Sequence, residues 1–225
     1  NQIQSLRAFL KEAKAYNSSK EIQEKNLRFE SVKGLFDASK KLYINTDNVK
    51  EITAAVDLAR ELSLNLVIVG GADAWMVADL LKENNVAVIV NKTHSLPSRE
   101  GSDVDLPFKL PYLLENAGVL YAISIDGFWQ ERNLPFNAGT AAAYGLTKEQ
   151  ALASITLNPA KILSIDNSTG TLEVGKDANI IISSGDALDM RSNNIEEAFI
   201  QGRRIDLNNH QKALNEKYKT KYGIK

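Results

Sequence analysis

Short apolar runs alternate with amphipathic segments across residues 41–125. Each apolar run predicts a buried strand, and the segments between the runs place apolar residues three or four positions apart, as in a helix that buries one face. Near-continuous apolar strands that alternate with such helices are typical of a parallel sheet covered by helices. The predicted strands are 41–45, 64–69, 86–90 and 119–125, and the predicted helices are 48–62, 73–83 and 106–116.

Further helices are predicted on both sides of this alternating region. Thr147 and Gln150 stand at the spacing of a capping box, in which the two side chains bond each other's backbone amides. Asn158 followed by Pro159 is typical of a cap and a first helical position. These helices are predicted at 1–15, at 29–40, at 137–146, after Thr147 and from Asn158 onward.

The pattern changes to β-structure after residue 169. We predict strands at 171–174 and 178–183, and a hairpin in which 198–200 and 203–205 flank Gln201-Gly202. Residues 210–225 are rich in lysine and weakly amphipathic, which predicts a surface helix or a frayed tail.

Charge and composition exclude several classes of protein. The 225 residues carry a formal net charge of −1, so electrostatics give no argument for a nucleic acid or a membrane surface as the main partner. No apolar run approaches the roughly 18 residues of a membrane helix. The absence of cysteine excludes disulfides, thiolate metal sites and cysteine nucleophiles. It leaves open whether the protein is cytoplasmic or periplasmic.

Residues 137–183 carry three motifs in a fixed order. They read EQAL at 149–152, TLNPAKIL at 156–163 and GTLEVGKDA at 170–178. In this order and spacing the segment resembles the C-terminal signature of the amidohydrolase superfamily, and in particular its imidazolonepropionase-like subgroup. The resemblance extends back through the four strand–helix units and thins out in the first 40 residues and the tail.

The resemblance implies a fold and a partner. The fold is α/β: half of a TIM-type (β/α)8 barrel, made of the last four βα units, followed by exit helices and a small β-domain. We therefore expect residues 1–165 to form the C-terminal half of the barrel, 166–207 to form accessory β-domain strands, and 208–225 to form a basic tail. Half a barrel leaves two open sheet edges and an open apolar interior. Since the chain starts at Asn1 without a methionine, we expect a preceding segment. The rest of the barrel is expected from the N-terminal half of the same barrel or from a second copy of this chain.

Chemistry in such barrels occurs at the carboxyl ends of the strands. The resemblance implies a divalent metal, zinc or similar, that activates water for hydrolysis of carbon–nitrogen bonds in cyclic amides or related small molecules. Asp126, directly after the last strand, matches the family's aspartate, which is both metal ligand and proton acceptor. A turn aspartate before Gly127 is the alternative.

Two expected metal ligands are missing. Asn45 and Gly70 stand at the ends of the first two strands, where the family has histidines. An asparagine carbonyl is a poor substitute for imidazole at zinc, and glycine has no side chain. A mononuclear site that uses Asp126 and two histidines from outside this chain is still compatible with the pattern, whereas a binuclear site is not.

The loops after the last two strands supply further predicted site residues. His94 is predicted as an acid/base or substrate-binding residue, and Arg99 as a clamp for a carboxylate. Phe128 and Trp129 are predicted as a wall of the substrate pocket, and Asn45 as a substrate-binding residue. A solvated loop histidine and arginine, and aromatic residues that only pack, are the alternatives.

Two other functional classes stay open. With two ligand positions lost, the protein is alternatively a catalytically degenerate amidohydrolase-fold protein that binds a small ligand or a partner without hydrolysis. A free-standing flavodoxin-like binding module is the third interpretation. The GTLEVGKDANIII run at 170–182 argues against it, because that fold has no β-domain to receive the run.

Overall fold

The computed structural model describes residues 2–19, 24–97 and 99–224. Its main sheet has four strands in the order β1-β2-β3-β4, and all neighbouring strands are parallel. Tyr43 pairs with Val67, which pairs with Ala87, and Val88 pairs with Tyr121. The four predicted strands and their parallel arrangement are confirmed. The strands are β1 Leu42–Thr46, β2 Leu66–Gly70, β3 Ala87–Val90 and β4 Tyr121–Ile123.

Helices connect and follow these strands. Asn48 caps α3 by accepting a hydrogen bond from the Lys50 amide, and Thr147 and Gln150 form the predicted capping box on α7. The helices are α1 Gln2–Ser18, α2 Leu27–Ser31, α3 Val49–Leu62, α4 Ala78–Glu83, α5 Leu106–Ala117, α6 Leu134–Ala143, α7 Lys148–Ala153, α8 Leu157–Leu163 and α9 His210–Tyr222, with 3-10 turns at Lys33–Leu35, Ala74–Val77 and Glu131–Asn133.

The two faces of the parallel sheet are covered unequally. Ile68, Val88 and Tyr121 point into the main core, where they pack against the helices. The opposite face carries a small cluster in which Ile162 of α8 packs on the strands. Tyr43, on that same face of β1, is 42% exposed. The sheet thus has one fully buried face and one face that is covered only in part.

The segment that contains α7 and α8 forms hydrogen bonds to the partly covered face of the sheet and to the free edge of β4. The Lys41 Nζ donates to the carbonyl of Ile162 at 2.5 Å and neutralises the C-terminal end of α8. The Ile123 amide donates to the carbonyl of Ser154 at 3.0 Å. Part of the hydrogen-bonding edge of β4 is therefore satisfied by this segment rather than by another strand.

A second sheet follows the helices. Its strands β5 Ile180–Ser183, β6 Ile195–Ile200 and β7 Arg203–Arg204 are antiparallel in that order. The predicted hairpin is confirmed: Gln201 and Gly202 both have positive φ, as a tight two-residue hairpin turn requires.

Three predicted elements differ from the structure. Residues 171–174 are irregular instead of a strand, because Leu172 and Val174 are exposed and none of the strands in the described residues pairs with them. Residues 29–40 are divided between α2 and a 3-10 turn. Helix α8 begins at Leu157 after the cap residue Thr156, so Asn158 and Pro159 lie within its first turn.

The last helix, α9, has no buried residue, which agrees with a surface helix in the tail. Among the described residues, no helix combines the length and the apolar character needed to cross a membrane. The proposed division at residues 165 and 207 stays a prediction.

Candidate active site

A cavity of about 290 Å³ lies at the carboxyl ends of the parallel strands. The loops after all four strands contribute to it, as expected when parallel strands end at one rim. Its polar lining includes three carboxylates and two cations: Asp47, Asp73, Lys92, Arg99 and Asp126.

The lining of the cavity also contains apolar residues. Leu96 and Pro97 lie in the loop after β3, and Leu106, Pro107 and Leu110 come from the start of α5. Apolar residues together with a few charged groups are the usual composition of a small-molecule site.

Asp73 is the most buried ionisable side chain of the cavity, with 3% of the side chain exposed. Its Oδ1 forms an ion pair with Arg99, and its Oδ2 accepts a hydrogen bond from the Val49 amide at 3.0 Å. The Arg99 guanidinium is therefore already paired with a carboxylate of this chain.

Lys92 and Asp126 form a looser pair. The distance between Lys92 Nζ and Asp126 Oδ1 is 3.7 Å, and the two side chains are 41% and 92% exposed. An ion pair at this distance and exposure contributes little to stability. Both groups are available to a molecule that enters the cavity.

Gly70 is fixed as glycine by its backbone. Its φ is +97°, and a Cβ atom at this position would lie 2.6 Å from Asp47 Oδ1. Asp47 Oδ1 itself accepts a hydrogen bond from the Ala72 amide at 3.1 Å. The turn after β2 thus requires glycine at position 70, where the family has a histidine.

His94 lies at the same rim but is directed to α6. Its Nε2 is 2.6 Å from Thr140 Oγ1, and its amide donates to Asn137 Oδ1. The Thr140 hydroxyl donates to the Phe136 carbonyl, so it accepts from the imidazole N–H. His94 is not part of the cavity lining.

The remaining predicted site residues are also outside the lining. Phe128 and Trp129 are 82% and 68% exposed and contact each other edge to face. Asn45 is exposed on the uncovered face of β1. Of the residues predicted from the sequence, the structure brings Asp126 and Arg99 together in the cavity and places His94, Phe128, Trp129 and Asn45 elsewhere.

Three cavity residues were not singled out from the sequence. Asp47 follows β1 directly, Lys92 comes two residues after β3, and Asp73 lies in the turn after β2. Their positions just after the strands were the available signal. The pairing of Asp73 with Arg99, 26 positions later, was not readable from the local pattern.

The donors of this chain do not suit a zinc-type centre by themselves. Within residues 2–19, 24–97 and 99–224, no three histidine, cysteine or acidic side chains come together in a way that holds a metal ion. Asp126 offers a carboxylate, but Gly70 has no side chain and Asn45 has no imidazole. The family's binuclear arrangement therefore does not fit these residues.

Comparison with known proteins identifies the family. The profile of the amidohydrolase family matches residues 5–205. A solved amidohydrolase structure from Thermotoga maritima MSB8 superposes with a TM-score of 0.79 at 28% identity, over 91% of this chain and 55% of that chain.

Two curated proteins with related sequences support the same family. The imidazolonepropionase of Flavobacterium psychrophilum is 26% identical over 181 residues, which are 71% of this chain and 44% of that protein. The 5-methylthioadenosine/S-adenosylhomocysteine deaminase of Moorella thermoacetica is 39% identical over 77 residues, 29% of this chain and 18% of the relative. The chain thus spans about half the length of the Thermotoga protein and less of these two relatives.

The superposition confirms that the parallel sheet and its helices match part of a TIM-barrel amidohydrolase, and a separate antiparallel sheet follows them. The family profile covers most of the chain, and the motifs at 149–178 lie inside the matched region. The chain belongs to the amidohydrolase family, in its imidazolonepropionase-like subgroup.

Proposed function

We propose that the intact protein containing this chain is a hydrolase of carbon–nitrogen bonds in small molecules, cyclic amides among them. The single observation that carries the proposal is the position of Asp126. Its exposed carboxylate lines the cavity at the end of β4, where the family has its catalytic aspartate. Relatives named amidohydrolase and deaminase act on such bonds, which supports the same reaction class here.

This chain would contribute substrate binding and a proton acceptor. Hydrolysis of an amide requires a base that takes a proton from the attacking water. Asp126 is accessible for this role, since 92% of its side chain is exposed, and Leu106 and Leu110 add apolar surface to the cavity. If a divalent metal takes part, further ligands would have to come from outside this chain, because the described residues hold no group of three histidine, cysteine or acidic side chains that could bind one.

The test is the rate of hydrolysis of a panel of five- and six-membered cyclic amides by the intact protein, with Zn²⁺ or Mn²⁺ added. We expect Asp126→Asn to lower kcat by about 10²-fold or more, the usual effect of losing a general base. Lys50→Met, an exposed change on α3 outside the cavity, is the matched control. An unchanged rate in the Asp126 variant refutes the assigned role.

A second function is favoured by Gly70. Since the turn at that position excludes any side chain, the protein is alternatively a non-catalytic member of the family that binds a small ligand. Elemental analysis of the intact protein separates the two functions. A protein that contains no metal, hydrolyses none of the amides and still binds a ligand in the cavity supports this second function.

We also propose that the N-terminal half of the same barrel covers the exposed face of β1. The Thermotoga structure has nearly half of its chain outside the region matched here, which is the amount that four further βα units require. Tyr43 and Asn45 are the exposed residues of β1 on this face. Analytical ultracentrifugation of this chain, alone and mixed with a separately produced N-terminal half, tests this. A one-to-one complex supports the proposal, and a stable homodimer of this chain alone contradicts it.

A further inference from the structure

The charged groups of the cavity differ in how strongly other groups of this chain already bind them. Arg99 is held by the buried carboxylate of Asp73, and Asp47 accepts a hydrogen bond from the backbone. Lys92 and Asp126 are left as one ammonium and one carboxylate at 3.7 Å, each with only a weak partner in the described part of the chain. A ligand therefore meets a positive and a negative group side by side.

This arrangement selects for a ligand with two adjacent opposite charges. A simple anion would be attracted by Lys92 but repelled by Asp126. A simple cation would be attracted by Asp126 but repelled by Lys92. A molecule whose carboxylate and ammonium group are neighbours satisfies both side chains at once. An α-amino acid has this geometry, because its two charged groups are on the same carbon.

The rest of the cavity agrees with such a ligand. Its volume of about 290 Å³ is at the lower end for small-molecule sites, so it suits a molecule of amino-acid size. Leu96, Leu106 and Leu110 belong to the apolar part of the same lining. These side chains would contact an aliphatic side chain of the ligand.

We propose that the cavity binds a small aliphatic α-amino acid, as a free molecule or as the part of a substrate that carries both groups. Lys92 binds the carboxylate and Asp126 binds the amine. The inference deepens the proposed function, on which it rests in taking this cavity as the ligand site. Displacing the existing Lys92–Asp126 pair costs little, because the pair is long and solvated.

The experiment compares three probes on the intact protein by isothermal titration calorimetry. L-leucine carries both charges, L-leucinamide lacks the carboxylate, and 4-methylpentanoate lacks the amine. We expect leucine to bind at least about tenfold more tightly than either analogue, which corresponds to about 1.4 kcal/mol.

Two variants assign the charges. Lys92→Met should remove the preference for leucine over leucinamide and leave the preference over 4-methylpentanoate. Asp126→Asn should remove the preference for leucine over 4-methylpentanoate and leave the preference over leucinamide. Lys92→Arg, which restores the positive charge, should restore the preference, and Lys50→Met should behave as the wild type. Because each readout is a ratio of affinities, a general loss of stability does not imitate the result.

The outcomes also separate this inference from the hydrolase proposal. Selective binding of leucine without any hydrolysis supports the inference and counts against the hydrolase. Hydrolysis of uncharged cyclic amides with equal binding of leucine and leucinamide overturns the inference and leaves the hydrolase. No binding of leucine at millimolar concentration, or a preference for leucine over leucinamide that persists in Lys92→Met, also overturns it.

Discussion

The Oδ2 atom of Asp73 accepts a hydrogen bond from the Val49 amide at 3.0 Å, so a carboxylate that follows β2 holds the first turn of the helix that follows β1. A negative charge at this place also interacts favourably with the helix dipole. Since the other oxygen binds Arg99, one buried side chain joins three segments of the cavity wall.

Removal of Asp73 should therefore destabilise the fold more than loss of a surface ion pair does. We expect Asp73→Ala to lower the free energy of unfolding by about 2–3 kcal/mol, because the half-exposed Arg99 guanidinium and the Val49 amide both lose the buried carboxylate that they bind. Urea unfolding measures the change. Asp57→Ala, which breaks the exposed pair between Asp57 and Arg60, is the control and should cost about 0.5 kcal/mol or less. Equal effects of the two changes would contradict the assigned role of Asp73.

The buried hydroxyl group of Tyr121 makes no hydrogen bond of normal geometry among the described residues, and its interaction with the nearby Glu115 carboxylate is only a weak one. Its burial, together with the nearby negative charge of Glu115, raises the pKa of this hydroxyl well above its ordinary value. An unpaired buried polar group costs about 1–3 kcal/mol, so its removal should be favourable. We expect Tyr121→Phe to increase the free energy of unfolding by about 1 kcal/mol. Tyr43→Phe, which removes a hydroxyl from a side chain that is 42% exposed, should have almost no effect. A loss of stability in Tyr121→Phe would show that the hydroxyl forms a strong hydrogen bond.

The ion pair between Lys148 and Asp186 should make stability depend on pH in the acid range. Lys148 Nζ donates to Asp186 Oδ2 at 2.6 Å, which lowers the pKa of Asp186, and the Leu188 amide lowers it further. Because the pKa is lower in the folded state, the contribution is fully present above the ordinary aspartate pKa of about 3.9 and is lost as pH falls through the folded value.

Thermal unfolding of the wild type and of Asp186→Asn provides the measurement. The variant should have the lower Tm at about pH 7, and the difference should shrink as the pH falls from about 3.9 to the lower pKa of the folded state, where Asp186 of the folded wild type becomes protonated. Both side chains are near the surface, so the effect is expected to be small and to weaken with added salt. A difference that stays constant down to the acid limit would mean that the carboxylate charge is not its source.

The elements that the sequence predicted well are those with a local physical signal. The apolar runs of the four strands and the capping box at Thr147 and Gln150 depend on neighbours within a few residues, and the structure contains them. The predicted strand at 171–174 has the right residue types but lies beside no strand, and strand formation depends on such a neighbour.

The residues of the candidate site also divide into those that the sequence predicted and those whose position depends on distant contacts. Asp126 was predicted from the family resemblance and Arg99 from its place in the loop after β3, and both line the cavity. His94 has an equally suitable position, yet Asn137 and Thr140 of α6 hold it away from the cavity. Those contacts join residues more than 40 positions apart, so a reading of local sequence did not contain them.

The turn at Gly70 yields the last prediction, which concerns the lost metal ligands. Asn45→His should be tolerated, because Asn45 is exposed on a strand with room for an imidazole. Gly70→His should lower the free energy of unfolding by about 1–3 kcal/mol, since φ is +97° and the new Cβ would collide with Asp47. The double variant should bind no more Zn²⁺ than the wild type in elemental analysis of the intact protein. Gly175→His is the matched control: its φ is +93°, but nothing lies within 4 Å of a Cβ there, so it reports backbone strain without the collision. If Gly70→His costs no more than Gly175→His and the double variant gains zinc, the turn after β2 is adaptable, and the missing histidine is a difference of side chain alone.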